Sequence, residues 1–371
     1  MNARRGTLRS AYMEWAKTRA HARFNQSTSG VANYPLAELP ARLEDLELSG
    51  PSYYGYEPLQ HRLAAKCSVP AECVVAATGT SMANHLAMAA TLEPGDEVLI
   101  EQPTYELLVS AARYLGAAVR RFPRRFEEGF RLDPREVERN LTPRTRLIVL
   151  TNLHNPSSVL SEDGALREIG ETAQSAGARV LVDEVYLDAA FSPASRSAFH
   201  LGEHFLTTSS LTKVYGLSGL RCGWAVAAPE LAEKMWRLND LFGVIPAHPA
   251  ERLSVIALEH LERIAARARA LLETNRRLLD SFLDSREDLR AVPSACGTTA
   301  FPRLLRGDAE ALCALLREKY ETSVVPGRFF EMPEHFRIGI GGDTQNLAAG
   351  LERLAAALDE LAGRHQRFPL S

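Results

Sequence analysis

Lysine is scarce in this chain. Of its 43 basic residues only five are lysines, Lys17, Lys66, Lys213, Lys234 and Lys319, and the rest are arginines. Cysteine is also sparse. Cys67, Cys73, Cys222, Cys296 and Cys313 are scattered without a CxxC pair or a metal-type His/Cys spacing. That argues against a disulfide framework and a zinc site, so no metal is expected and the thiols read as the reduced cysteines of a cytoplasmic protein. No apolar run approaches the roughly 20 residues of a membrane helix. The N-terminal MNARRGTLRSAYMEWAKTRAHARF carries charges throughout, where a signal peptide requires an unbroken apolar stretch. Excess charge of one sign is missing too: 43 basic against 46 acidic residues leave a net charge of -3. No global field draws such a chain to nucleic acid or to an anionic membrane, and small molecules are the expected partners.

What is present is enough apolar sequence, 46% of 371 residues, to bury a large core in two domains or one big one. From about residue 70 to 230, short β-branched runs (VVAAT, EVLIEQ, AAVRRF, RLIVLTN, ARVLVDE, FLTTSS, CGWAVA) alternate with helical patterns. The rhythm predicts an α/β domain with a mostly parallel central sheet sandwiched by helices. Beyond Pro229 comes an Arg- and Leu-rich stretch predicted as one long connecting helix over about 250–284. A smaller α+β domain follows, with apolar runs at TTAFPRLL and FRIGIG. The expected division is a large domain over 46–245 and a small one formed by 1–45 with 246–371.

Ligands of parallel sheets bind beyond the carboxyl ends of the strands, where Thr80, Tyr105, Asn155, Asp183 and Ser210 each follow an apolar run. In TGTSMANHLAMAA, Gly79, Thr80 and Ser81 open an apolar-periodic helix, and the free N–H groups and hydroxyls of such a helix start suit a phosphate. A plain N-cap after a glycine turn would give the same string. LVDEVY puts Asp183 and Glu184 at a strand end, one carboxylate directed into a cleft and its neighbour away from it. Lys213, unlike the other four lysines, lies among hydroxyls, glycines and apolar residues in TTSSLTKVYGLSGLRCGW. A guanidinium cannot replace a primary amine in imine chemistry, so Lys213 is the candidate nucleophile. Arg221, eight residues on, would complete a phosphate seat and depress the amine's pKa by like-charge repulsion.

These strings, in this order, resemble the class I/II aminotransferases of pyridoxal-phosphate (PLP) fold type I: the Gly-rich turn, the Asn155-Pro156 step, the Asp-Glu-x-Tyr strand end and the Ser-x-x-Lys loop. The intervals of 28 residues from Asn155 to Asp183 and 30 from Asp183 to Lys213 are similar to the family's, and the resemblance runs from about Ser29 to Asp343. It implies that Lys213 holds pyridoxal 5'-phosphate as a Schiff base and moves the proton at Cα. Asp183 would meet the ring nitrogen, Asn155 and Tyr186 the phenolic oxygen, Tyr105 the ring face, and Thr80, Ser81, Ser210 and Arg221 the phosphate. Arg337 in HFRIGIGG looks like the clamp for a substrate α-carboxylate, and the Ser29-Gly30 step like the segment that closes over substrate. SYYGYEPLQHRLA resembles the segment that lends a tyrosine to the partner's phosphate in a homodimer, and Tyr53, two residues before Gly55, is the choice, with Tyr54 the near alternative.

Two departures stand out: Ser157-Ser158 where the family has Thr-Gly, and Thr212 before the lysine where Ser or Ala is commoner. No arginine matches the side-chain carboxylate clamp of dicarboxylate-specific members. The implied activity is ping-pong transfer of an amino group between an amino acid and a 2-oxo acid. A lyase or synthase (β-elimination or cyclisation) shares the same cofactor contacts. A transcription regulator carrying such a domain would need a DNA-binding domain ahead of it, for which some 30 residues do not suffice.

Overall fold

A computed structural model describes residues 9–51, 53–192 and 196–366. The first eight residues of the charged N-terminal stretch, and Ser52 at the head of SYYGYEPLQHRLA, lie outside the described residues. In chain order, α1 (Ala11–Thr18) and β1 (Phe24–Asn25) lead to α2 (Glu57–Cys67) and a run of alternating elements: β2 (Val74–Thr78), α3 (Gly79–Thr91), β3 (Glu97–Gln102), α4 (Glu106–Tyr114), β4 (Ala118–Pro123), α5 (Pro134–Asn140), β5 (Thr145–Thr151), α6 (Asp163–Ser175), β6 (Arg179–Asp183), β7 (Phe205–Ser210) and β8 (Cys222–Val226).

The seven apolar runs become the seven strands of one sheet, ordered β2-β8-β7-β6-β5-β3-β4. All pairings are parallel except those of β8, which runs antiparallel to both β2 and β7. Alternate strand residues feed two cores, as the period of two demands. Leu99, Ile148, Leu150, Val180, Val182 and Phe205 pack with Leu166 and Ile169 of α6, while Ile100, Leu147, Val149, Leu181 and Leu206 pack with Ala83, Leu86 and Ala87 of α3. The architecture is the expected α/β sandwich around a mostly parallel sheet.

After α7 (Pro229–Asn239), the expected single connecting helix is in fact two, α8 (His248–Glu259) and α9 (Leu261–Asp284). They part at His260, whose φ of -113° and ψ of 20° leave the helical range. The remaining elements are β9 (Leu289–Arg290), β10 (Thr299–Ala300), β11 (Arg303–Leu304), α10 (Ala309–Lys319), β12 (Thr322–Ser323), β13 (Val325–Pro326), β14 (Phe336–Gly339) and α11 (Thr344–Gln366). The strands here are short: β14 lies between β10 and β13, β9 pairs with β11, and β1 runs parallel to β12. This last pairing brings the N-terminal segment to the C-terminal elements and, just beyond it, across the carboxyl end of the large sheet. Among the described residues no helix is long and apolar enough to cross a membrane.

Candidate active site

A cavity of about 570 Å³ opens at the carboxyl ends of β5, β6 and β7. It gathers Gly30, Thr80, Ser81, Tyr105, Asn155, Asp183, Tyr186, Ser210, Lys213 and Arg221 from the residues singled out in the sequence. Gly79 and Arg337 stand behind its wall. Tyr53 is 76% exposed and is not part of the cavity lining of its own chain.

One end is built by the turn from β2 into α3. Gly79 has φ +77°, and a Cβ added there would fall 2.2 Å from Nη2 of Arg221, so only glycine lets the guanidinium lie over this helix start. Arg221 itself takes a left-handed φ of 50° and accepts the Gly79 N–H at 2.7 Å through its carbonyl oxygen. The first N–H groups of α3 have no partner within the helix, and the hydroxyls of Thr80 and Thr212 are buried without a hydrogen bond. Ser210 Oγ accepts from Thr212 N at 3.2 Å. Unsatisfied donors, a helix N-terminus and a guanidinium in one place fit a phosphate dianion.

Asp183 ends β6 with its carboxylate buried. Oδ1 accepts from Val185 N at 3.1 Å and Oδ2 from Asn84 Nδ2 at 2.8 Å. Burial raises its pKa to about 6, against the pull of the Asn84 bond. Asn84 in turn accepts from Thr208 Oγ1 at 2.5 Å. Neither Asn84 nor Thr208 was singled out from sequence. The available signal was spacing, since Asn84 follows Thr80 by four residues on α3 and so shares its face. Glu184 points the other way: Oε1 accepts from Ala198 N at 2.7 Å, it borders a separate cavity of about 610 Å³, and burial pushes its pKa to about 8.

Lys213 forms part of the cavity wall, its pKa lowered chiefly by burial. Tyr12 and Asp183 oppose the shift, and Arg337 and Arg221 add to it. The like-charge repulsion expected from Arg221 is therefore the minor cause, because desolvating an ammonium costs more than this neighbouring charge. Nζ donates to Ser29 Oγ at 3.2 Å, and Tyr186 OH donates to the same oxygen at 2.7 Å. A Cβ on Gly30 would touch the Lys213 carbonyl oxygen at 3.4 Å, so the Ser29-Gly30 step packs directly on the lysine.

Arg337 is fully buried on β14, and among the described residues it has no carboxylate partner. Nη1 donates to Asn155 Oδ1 at 3.0 Å, and Nη2 donates to Tyr12 OH at 3.0 Å and Ser27 O at 3.1 Å, while Nε has no bond. Sequence reasoning also missed Tyr12, which arrives from α1. Its ring meets Tyr105 edge-on, with centroids 5.7 Å apart. A buried guanidinium held only by neutral acceptors is matched to an anion that comes with a ligand.

A sheet with a lysine, an aspartate and a phosphate cradle at its carboxyl edge defines a class, the PLP-dependent enzymes of aminotransferase fold. The chain matches the model of the family "Aminotransferase class I and II" over residues 38–354 and belongs to that family, whose cofactor is pyridoxal 5'-phosphate. It is 33% identical to the capreomycidine synthase of Streptomyces vinaceus, over 95% of this chain and 94% of that protein. It is 28% identical to the arginine–pyruvate transaminase AruH of Pseudomonas aeruginosa, over 82% and 79%. Among solved structures, a PLP-dependent aminotransferase from Streptococcus suis superposes with a TM-score of 0.89 at 25% identity, covering 96% of this chain and 99% of that one. The PLP-dependent cyclase OrfR superposes with a TM-score of 0.84, also at 25% identity, covering 95% and 99%.

Proposed function

We propose that this enzyme is an aminotransferase that passes an amino group from an amino acid to a 2-oxo acid by a ping-pong mechanism. The observation that carries the reading is the single cavity bordered by Lys213 and Asp183, with Arg337 behind it on Asn155 and Tyr12. When bound, the cofactor supplies a carbonyl for amines and a ring that takes up the electron pair left at Cα.

Lys213 Nζ, its pKa lowered by burial, takes and returns the proton at the substrate's Cα. Asp183, fixed by Asn84, would hold the cofactor's pyridine nitrogen and favour its protonated form. Thr80, Ser81, Ser210 and Arg221 would hold the phosphate with the N–H groups of α3, at the turn that Gly79 opens. Tyr186 and Asn155 would hold the cofactor's phenolic oxygen, and Tyr105 would support its ring. Arg337 receives the α-carboxylate of donor and acceptor alike, a two-point contact that sets the angle of the Cα–H bond. Gly30 lets the N-terminal segment close beside them.

The units doing this work are taken as 46–245 and 1–45 with 246–371, in a homodimer. Tyr54 OH donates to Asp240 of its own chain at 3.1 Å, which favours exposed Tyr53 as the residue that reaches the partner's phosphate.

The absorption spectrum tests the proposal. A yellow band should bleach with an amino acid and return with a 2-oxo acid. A second reading, a synthase or lyase, is favoured by the capreomycidine synthase relative, which is 33% identical over 95% of this chain. Product formed from one amino acid with no 2-oxo acid present would replace the first reading by the second.

A further inference from the structure

Ser29 touches two of the working groups and has no role in the scheme above. It is buried, and its hydroxyl oxygen accepts from Tyr186 OH at 2.7 Å and from Lys213 Nζ at 3.2 Å. The backbone around it is tightly held. Thr298 Oγ1 donates to the Ser29 carbonyl at 2.8 Å, and two residues on, Val31 N donates to the Lys213 carbonyl at 2.7 Å. Gly339 and Gly341 press against the same segment so closely that a Cβ would fall 1.7 Å from Thr28 O and 2.3 Å from Gly30 O. Parts of the chain distant in sequence thus converge to hold one hydroxyl beside the amine.

A primary amine on a four-carbon stem has many rotamers, and proton transfer at Cα needs one of them. A fixed acceptor within reach of Nζ removes that search. We propose that the Ser29 hydroxyl is a further catalytic residue, which docks the Lys213 amine through an Nζ–H···Oγ bond while that amine carries the substrate's α-proton. The inference rests on Lys213 being the proton carrier. Accepting a bond from the ammonium also favours the charged amine, so loss of the hydroxyl lowers the pH at which Lys213 becomes nucleophilic. The other groups that act on Nζ are Asp183 from β6, Arg221 before β8, Arg337 from β14 and Tyr12 from α1, while Tyr186 bonds to the Ser29 oxygen itself. All are retained when only Ser29 is changed.

The test compares wild type, Ser29→Ala and Ser29→Thr in two ways. In cofactor-free protein, reductive methylation of Lys213 is followed against pH by peptide mass spectrometry. In the holoenzyme, kcat, KM and the primary isotope effect are measured with an α-deuterated amino acid. For Ser29→Ala the methylation midpoint should move to lower pH. Its kcat should fall about tenfold with KM little changed, and its isotope effect should rise. Ser29→Thr, which keeps the hydroxyl, should stay near wild type. A Ser29→Ala protein with wild-type midpoint and isotope effect, or one changed only in KM or cofactor affinity, would overturn the proposal. A Lys213→Ala enzyme at full activity would instead overturn the reading on which it rests.

Discussion

Asn84 Nδ2 stands 2.8 Å from Asp183 Oδ2, and this bond opposes the burial that lifts the carboxyl to about pKa 6. Removing it raises the pKa further, so a larger share of Asp183 would be protonated at pH 6.5 and unable to keep a pyridinium charged. Asn84→Ala should weaken cofactor binding by about tenfold at pH 6.5 and much less at pH 8.5. Titration of the visible band at the two pH values decides it; equal losses at both would assign Asn84 to packing alone.

Glu184 gives a stability signature. Its folded pKa, about 8, lies above the ordinary 4.5, so the folded chain holds the proton more tightly than the unfolded one. Between these values the native state binds more protons, and stability falls as pH rises. Glu184→Gln, which keeps an acceptor for Ala198 N, should flatten that slope. It should also stabilise the cofactor-free protein at pH 8.5 by roughly 2 kcal/mol or more, as read from urea unfolding. An unchanged slope from pH 5 to 8 would show that Glu184 is ionised throughout.

Arg337→Lys keeps the charge but loses the planar fork. KM for the amino acid should rise about a hundredfold, with a smaller effect on kcat. Arg337→Met should cost more in binding and should also destabilise the fold, because Asn155 Oδ1 and Tyr12 OH lose their donor. Steady-state kinetics with one amino donor suffices, and an unchanged KM for Arg337→Lys would place the α-carboxylate elsewhere.

The Tyr53 proposal is tested by mixing two inactive proteins, Lys213→Ala and Tyr53→Ala. If Tyr53 serves the partner's site, the mixed dimer has one site with both lesions and one with neither, and activity returns on subunit exchange. Absence of recovery in a demonstrated mixed dimer would mean that the tyrosine acts within its own chain.

The large sheet was legible because each of its strands is a compact β-branched run, and the site because its polar residues punctuate strand ends. Other features were not legible for definite reasons. Asn84 and Thr208 sit inside elements that read as apolar or structural, and only the fold shows that they meet behind Asp183. Tyr12 lies 325 residues from Arg337, a separation over which no periodicity speaks. Ser29 was visible as the neighbour of a glycine hinge, while its hydroxyl's partners come from Tyr186 and Lys213. The break at His260 falls between two helical patterns of similar composition, so the sequence runs through it without a glycine or proline.

The pairing of β1 with β12 also governs when the site can exist at all. Phe24 and Asn25 leave the ribosome well before their partners Thr322 and Ser323. The strands of the large sheet precede β12 in the chain, so the sheet can close while the segment carrying Ser29 and Gly30 still awaits its partner strand. A chain lacking β12 and β14 would then carry a formed sheet without Arg337 or the strand that pairs with β1, and its catalytic centre would be unfinished.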